Sequence, residues 1–211
     1  KPVKTLKHSA NPLFYDSFRV PLSSDAWRSA VFLQIVNLIL DVATGLVGGA
    51  CLLRLVMQWQ RLPFQNPIGH FVFAVSDWLV MPLRRILPAF GRLDTSSLVA
   101  AWLMKLTHVL LMWMLGGSQA AFVGVLIASL FGVLHWLVSG LSAIILLYTI
   151  LSWVQPNSGS MMLLSRIVEP WLAPIRNAIP QPGGIDLSPL VLLVILQIAG
   201  MLLAGLQYGG F

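Results

Sequence analysis

The sequence predicts an all-α membrane protein built from two tandem, parallel repeats. Each repeat is a transmembrane helix, an in-plane amphipathic helix carrying a Pro/Gly motif, and a second transmembrane helix, giving four spans in total. Three observations predict this. Of 211 residues, 57% are apolar and only 9% charged, against about 25% charged in ordinary soluble domains, and the mean hydropathy is +0.84. Four segments, residues 31–57, 98–115, 133–153 and 189–206, are long and apolar enough to cross hydrocarbon, which takes about 20 helical residues. The series Pro82, Arg84, Pro88, Gly91, Asp94, Ser96 returns as Pro174, Arg176, Pro180, Gly183, Asp186, Ser188, always at an offset of 92 residues. Asp77 maps onto Glu169 by the same offset. Self-similarity at a fixed spacing marks a duplicated structural unit.

The boundaries follow from these observations. Residues 1–26 contain Pro2, Pro12 and Pro21 and no helical period, so they read as an extended polar tail. They lack the apolar stretch of a cleavable signal, and are either a surface arm or part of a larger chain. Residues 27–117 form the first membrane repeat and 118–211 the second. Strands are excluded because alternation is absent and lipid does not tolerate an open sheet edge. The apolar segment 120–132 contains no Pro and is read as prolonging the third span into one long helix, the alternative being a separate interfacial piece. Trp59 and Trp153 end the first and third spans, where an indole meets apolar and wet surroundings at once; ligand stacking is the rival role.

Between the spans of each repeat, apolar residues recur at i, i+3, i+4 and i+7. In the first connector they are Ile68, Phe71, Val72, Val75, Leu79, Leu83, Ile86 and Leu87, the period of an amphipathic helix over 67–87. The second connector repeats it with Leu164, Ile167, Val168, Trp171, Leu172, Ile175 and Ile179. Such helices are expected to lie in the membrane plane, apolar face down and basic side chains toward lipid phosphates. Pro82 and Pro174 are expected to bend them, and Gly91 and Gly183 to turn the chain. Ser188 followed by Pro189 reads as an N-cap with Pro in the first turn, with Ser96 in the equivalent place. Asp94 and Asp186 then add negative charge at a positive helix end. The competing reading of Asp-x-Ser gathers the repeated Asp and Arg residues around an anionic headgroup or a cation.

Two spans per repeat put both connectors on one side of the membrane. Arg61, Arg84, Arg85, Arg92, Arg166 and Arg176 all lie in them. The positive-inside rule therefore expects the connectors in the cytoplasm, although Lys1, Lys4, Lys7, Arg19 and Arg28 make the tail basic as well.

Asp41, Arg54, Lys105, His108, His135 and Gln197 fall at or near membrane depth. Charge there is expensive and marks function or a partner. Lys105 and His108 share a helix face, so Asp41 can pair with Lys105, as a polar path for ions or protons or simply as internal neutralisation. Arg54 is expected to snorkel to the interface. Asp41 has no acidic counterpart in the second repeat, which weighs against a path built on the internal symmetry. Gly45 with Gly49, and Gly200 with Ala204, allow close helix approach. The lone Cys51 reads as a small apolar filler.

Chemistry of other kinds leaves no signature: no Cys/His metal spacing, phosphate-cradling loop or nucleophile beside a base. No enzyme, cofactor or metal is expected. The net charge of +6 is spread through membrane connectors, which points to anionic lipid rather than nucleic acid.

The doubled Pro-x-Arg-x-x-x-Pro…Gly-x-x-Asp-x-Ser, with its flanking spans, resembles the YggT family of bacterial and plastid membrane proteins over roughly residues 31–208. The first copy departs from the second in having Ser97 where Pro189 stands. The resemblance implies a multi-pass protein of the bacterial inner (plasma) membrane. It implies association with cell division, with maturation of membrane complexes or with osmotic-stress tolerance, and it brings no catalytic residues. The expected function is a scaffold or assembly factor whose cytoplasmic connectors bind lipid and a membrane-protein partner, or a homo-oligomer. The motif residues expected to do so are Asp77, Pro82, Arg84, Arg85, Pro88, Gly91, Asp94 and Ser96, with Glu169, Pro174, Arg176, Pro180, Gly183, Asp186, Ser188 and Pro189. The alternatives are a small cation or osmolyte transporter using Asp41, Lys105 and His108, and an accessory subunit of a larger membrane complex.

Overall fold

A computed structural model describes residues 24–87, 94–116, 121–178 and 186–209. Among them are six helices and no strand: α1 Ser24–Trp59, α2 Pro67–Ile86, α3 Thr95–Leu115, α4 Phe122–Val154, α5 Gly159–Ala178 and α6 Ser188–Gly209. Four are long and apolar enough to cross a membrane, over Trp27–Trp59, Thr95–Leu115, Phe122–Val154 and Ser188–Gln207. The segment 122–154 is a single helix of 33 residues, so the third span is prolonged rather than broken. Pro88, Gly91, Pro180 and Gly183 lie outside the described residues, as does the tail up to residue 23.

The chain divides within α1 into two compact units, Lys1–Leu38 and Ile39–Phe211. In the first, the described residues continue α1 with Phe32, Ile35 and Leu38 exposed. The second holds everything that follows.

Helix α1 ends in a Schellman turn. The Leu62 N–H donates to the Met57 carbonyl at 2.9 Å and the Arg61 N–H to the Gln58 carbonyl at 3.1 Å. Arg61 takes the left-handed position, with φ of 55°, a place usually given to Gly. Met57 and Leu62, the apolar pair that accompanies such a turn, share one core cluster. Helix α2 then starts from an unforeseen cap: the Asn66 side chain accepts from the Gly69 N–H at 2.8 Å, with Pro67 in the first turn. A Cβ on Gly69 would overlap the Phe64 carbonyl, so this turn requires glycine. Both connector helices run through their internal prolines, Pro82 in α2 and Pro170 and Pro174 in α5.

The apolar faces of the connectors are not left wholly to lipid: Phe71 and Ile86 stay exposed, while other positions on them are covered by the spans. Val72, Ser76 and Val80 of α2 are fully buried, and Val80 packs in a core with Cys51, Leu52, Leu55, Ala100, Ala101 and Val133. Small residues at 51, 100 and 101 make room for α2 against the spans. In the second repeat Val168 and Leu172 pack on Ile145 and Leu192. Between the repeats, Met57 and Leu62 meet Leu163 and Ile167, and the Gln60 amide donates to the Ile167 carbonyl at 2.8 Å. The Trp59 and Trp171 rings lie 6.2 Å apart. Both connectors therefore sit at one end of the spans, as parallel repeats require.

The glycine pair of the first span is used differently from its spacing. Gly45 and Gly48, rather than Gly45 and Gly49, seat the Trp136 ring of α4: a Cβ on Gly48 would overlap it, whereas Gly49 faces open space. Gly48→Leu should therefore destabilise the fold by roughly 1–3 kcal/mol, the usual result of overpacking. The thermal midpoint in detergent should fall, and with Trp136→Ala added the total loss should be less than the sum of the two single losses.

Candidate functional site

The repeated Arg and Asp residues come together in both repeats. In the first, Arg84 Nη2 lies 2.5 Å from Asp94 Oδ2; in the second, Arg176 Nη2 lies 3.0 Å from Asp186 Oδ2. Each pair ties the end of a connector helix to the start of the next span. The arginines thus find carboxylates of their own repeat.

Asp94 is itself the N-cap of α3, two residues earlier than the Ser96 expected from the sequence. Ser96 instead donates to the Leu87 carbonyl at 2.8 Å, holding the end of α2. Ser97, which replaces the proline of the second copy, donates to Asp94 Oδ2 at 2.8 Å. In the second repeat the Ser188 N–H donates to Asp186 Oδ1 at 3.0 Å, α6 begins at Ser188, and Pro189 is buried in its first turn. One motif is therefore capped in two ways.

The remaining acids diverge by one methylene. Glu169 reaches Arg176 seven residues on, at 3.1 Å. Asp77 instead pairs with Arg54 of α1 at 2.5 Å. Arg54 does not snorkel to the interface: it is 3% exposed, donates to Ser76 Oγ at 3.1 Å, and lies 4.7 Å from the Phe73 ring centroid. Its Nε is 3.9 Å from Asp94 Oδ2. Snorkelling fails because the partners of Arg54 are already at its own depth, and pairing within protein is favoured over extension. No sequence period relates Arg54 to Asp77, which lie on different helices, so this pairing is not visible before the fold. Asp94 Oδ1 is buried without a hydrogen-bond partner among the described residues. Arg85 is exposed.

In the second connector, burial by itself would lower Arg176, but the charges and hydrogen bonds of Asp186 and Glu169 outweigh it and raise its pKa. Burial would likewise raise Asp186, but hydrogen bonds from Ser188 and then Arg176 hold its carboxyl below the ordinary value.

Deeper in the spans, Lys105 Nζ lies 3.2 Å from Asp41 Oδ1 and 3.3 Å from His108 Nδ1. His108 is 3.5 Å from Asp41. The ammonium also sits 4.5 Å from the Trp136 ring centroid, and Gly132 lets the lysine stem pass, since a Cβ there would come within 2.6 Å of it. Asp41 remains half exposed. These residues have polar counterparts that an acidic match does not reveal. The 94-residue offset relating Trp59 to Trp153 carries Asp41 onto His135, and the 92-residue offset carries Lys105 onto Gln197. Among the described residues no group of three or more His, Cys, Asp or Glu could hold a metal.

Four candidate spans, two connectors at one end and a repeated Arg–carboxylate tie define a multi-pass helical membrane protein of duplicated design. A sequence-family model described as CCB3/YggT matches residues 33–115 and again 127–207, one match per repeat, and the chain belongs to this family. It is similar to "Uncharacterized protein YggT" of Escherichia coli K12, 31% identical over 171 residues, 80% of this chain and 89% of that one. A relative from Pseudomonas aeruginosa is 36% identical over 72% of this chain and 79% of its own. One from Vibrio alginolyticus is 32% identical over 72% and 84%. No solved structure matches.

Arg54→Ala should destabilise the protein by about 1–3 kcal/mol, because it leaves Asp77 and Ser76 without their buried donor while Asp94 keeps Arg84. Arg84→Ala, at a side chain 41% exposed, should lower the melting temperature in detergent by less. Asp186 has a depressed pKa, so its contribution is present above the ordinary value of 3.8 and is lost as pH falls through the depressed value. The difference in melting temperature between wild type and Asp186→Asn should be constant near neutrality and shrink below about pH 3.8.

Proposed function

We propose that this protein is a non-enzymatic membrane scaffold or assembly factor whose paired connectors form a docking platform for a membrane-protein complex. In this reading it resides in the bacterial inner (plasma) membrane with the connectors in the cytoplasm, where their arginines are retained beside anionic lipid. The observation that carries the proposal is the mounting of α2. Its inner face is buried on the spans and its end is tied by Arg84 and Asp94, yet Phe71, Trp78, Met81 and Ile86 stand 53–76% exposed. A rigidly held helix that presents large apolar side chains is suited to binding. Because Arg84 and Arg176 hold the fold, surface variants test the idea more cleanly than motif variants. Full-length Trp78→Glu with Met81→Glu should retain the wild-type melting temperature but lose the proteins that co-purify after mild detergent extraction. An unchanged set of co-purifying proteins would contradict the docking role.

A second reading, a small cation or osmolyte conduit, is favoured by the clustering of Asp41, Lys105 and His108. It requires purified protein in liposomes to pass cations and Asp41→Asn to change the flux at least severalfold. Vesicles that stay sealed with wild-type protein would end it.

A further inference from the structure

His135 of α4 and Gln197 of α6 line a shared cavity of about 410 Å³, together with Ser139, Ser142, Gly200 and Ala204. Gln197 stands at the middle of the span Ser188–Gln207, so the cavity lies at hydrocarbon depth. Both polar residues are exposed, and neither hydrogen-bonds to another side chain among the described residues. Lipid tails offer no donor or acceptor, which makes such a face unstable in contact with lipid alone. The repeat sharpens the contrast. The equivalent positions of the first repeat, Asp41 and Lys105, satisfy each other at 3.2 Å, whereas the second repeat leaves its pair open.

We propose that this α4/α6 face is the contact between two copies of the chain, related by a twofold axis along the membrane normal. A second copy inserted in the same direction carries the same two groups at the same depth. Amide and imidazole each offer a donor and an acceptor, so His135 can meet Gln197 of the partner subunit, and the twofold axis repeats the pairing. Val138, Leu196 and Met201 line the cavity as well, and Gly200 faces Val138 of its own chain, but Ser139 and Ala204 leave room beside the two hydrogen-bonding groups, and small residues beside hydrogen-bonding ones are how membrane helices associate. A small polar solute is the competing occupant of the cavity. It would satisfy the same two groups without bringing two chains together, so crosslinking between copies separates the two occupants. The inference is independent of the docking role of α2.

The test uses the full chain in native membranes with Cys51→Ser, carrying Ser139→Cys or, separately, Ala204→Cys. Oxidation should give a product of twice the 23.2 kDa chain mass from both positions. Val42→Cys, on an exposed flank of α1, should give none. Adding His135→Leu and Gln197→Leu should weaken self-association at least roughly tenfold, read as the dissociation constant in liposomes. Leucine is at home in lipid, so an unchanged melting temperature should accompany the loss. The proposal is overturned by absence of the doubled product, by equal crosslinking from Val42→Cys, by crosslinking only to a different protein, or by self-association unchanged in the double-leucine variant.

Discussion

A charge carried into or beside hydrocarbon must find its counter-charge within the protein, and most of this architecture follows from that requirement. Each connector ends in an arginine, and each following span begins beside a carboxylate. Joining them neutralises both where the chain turns back toward the membrane. The joint also fixes where the connector lies, because a helix held at its end by an ion pair and along its face by Val80 or Leu172 cannot drift from the spans. In the first repeat the requirement extends to Arg54, which accepts Asp77 and approaches Asp94 in the same buried site.

The two repeats meet this requirement with unequal means. The first places two arginines against two aspartates, so its formal charges cancel. The second places Arg176 alone between Glu169 and Asp186. Glutamate at 169 makes this possible by reaching one methylene further, and the backbone N–H of Ser188 supplies the donor that Ser97 provides in the first repeat. Deeper in the membrane the asymmetry returns. Asp41 and Lys105 are matched in charge and packed against Trp136, whereas His135 and Gln197 carry hydrogen-bonding capacity without an internal match. Duplication supplied a common frame, and individual substitutions then gave its halves different surfaces.

Much of the frame was legible in the sequence because it depends on composition and period. Lipid excludes charge over whole helices, so the spans stood out, and the 92-residue repeat placed both connectors together. The unbroken helix through 122–132 followed from the absence of proline. What the sequence did not reveal were choices among partners. Arg54 could be placed at its depth, but not assigned to Asp77, because no periodicity relates residues on different helices. Ser96 and Asp94 are both good capping residues two positions apart, and the geometry of the preceding turn selects between them. Gly48 and Gly49 differ only in the direction of their missing side chains, which the rotation of α1 against Trp136 decides. The apolar face of α2 was visible, yet its period is the same whether lipid or protein covers it.

The two connectors lie at one end of the spans and are joined there through Met57, Leu62, Leu163 and Ile167. The most direct measurement is linkage of Trp59→Cys to Trp171→Cys by a flexible bis-maleimide in a Cys51→Ser chain in sealed membranes, because the two rings pack with centroids 6.2 Å apart. A linked monomer should form rapidly, and an impermeant thiol reagent should label both cysteines from the same side. Labelling of the two positions from opposite sides, with no bridge between them, would contradict this arrangement.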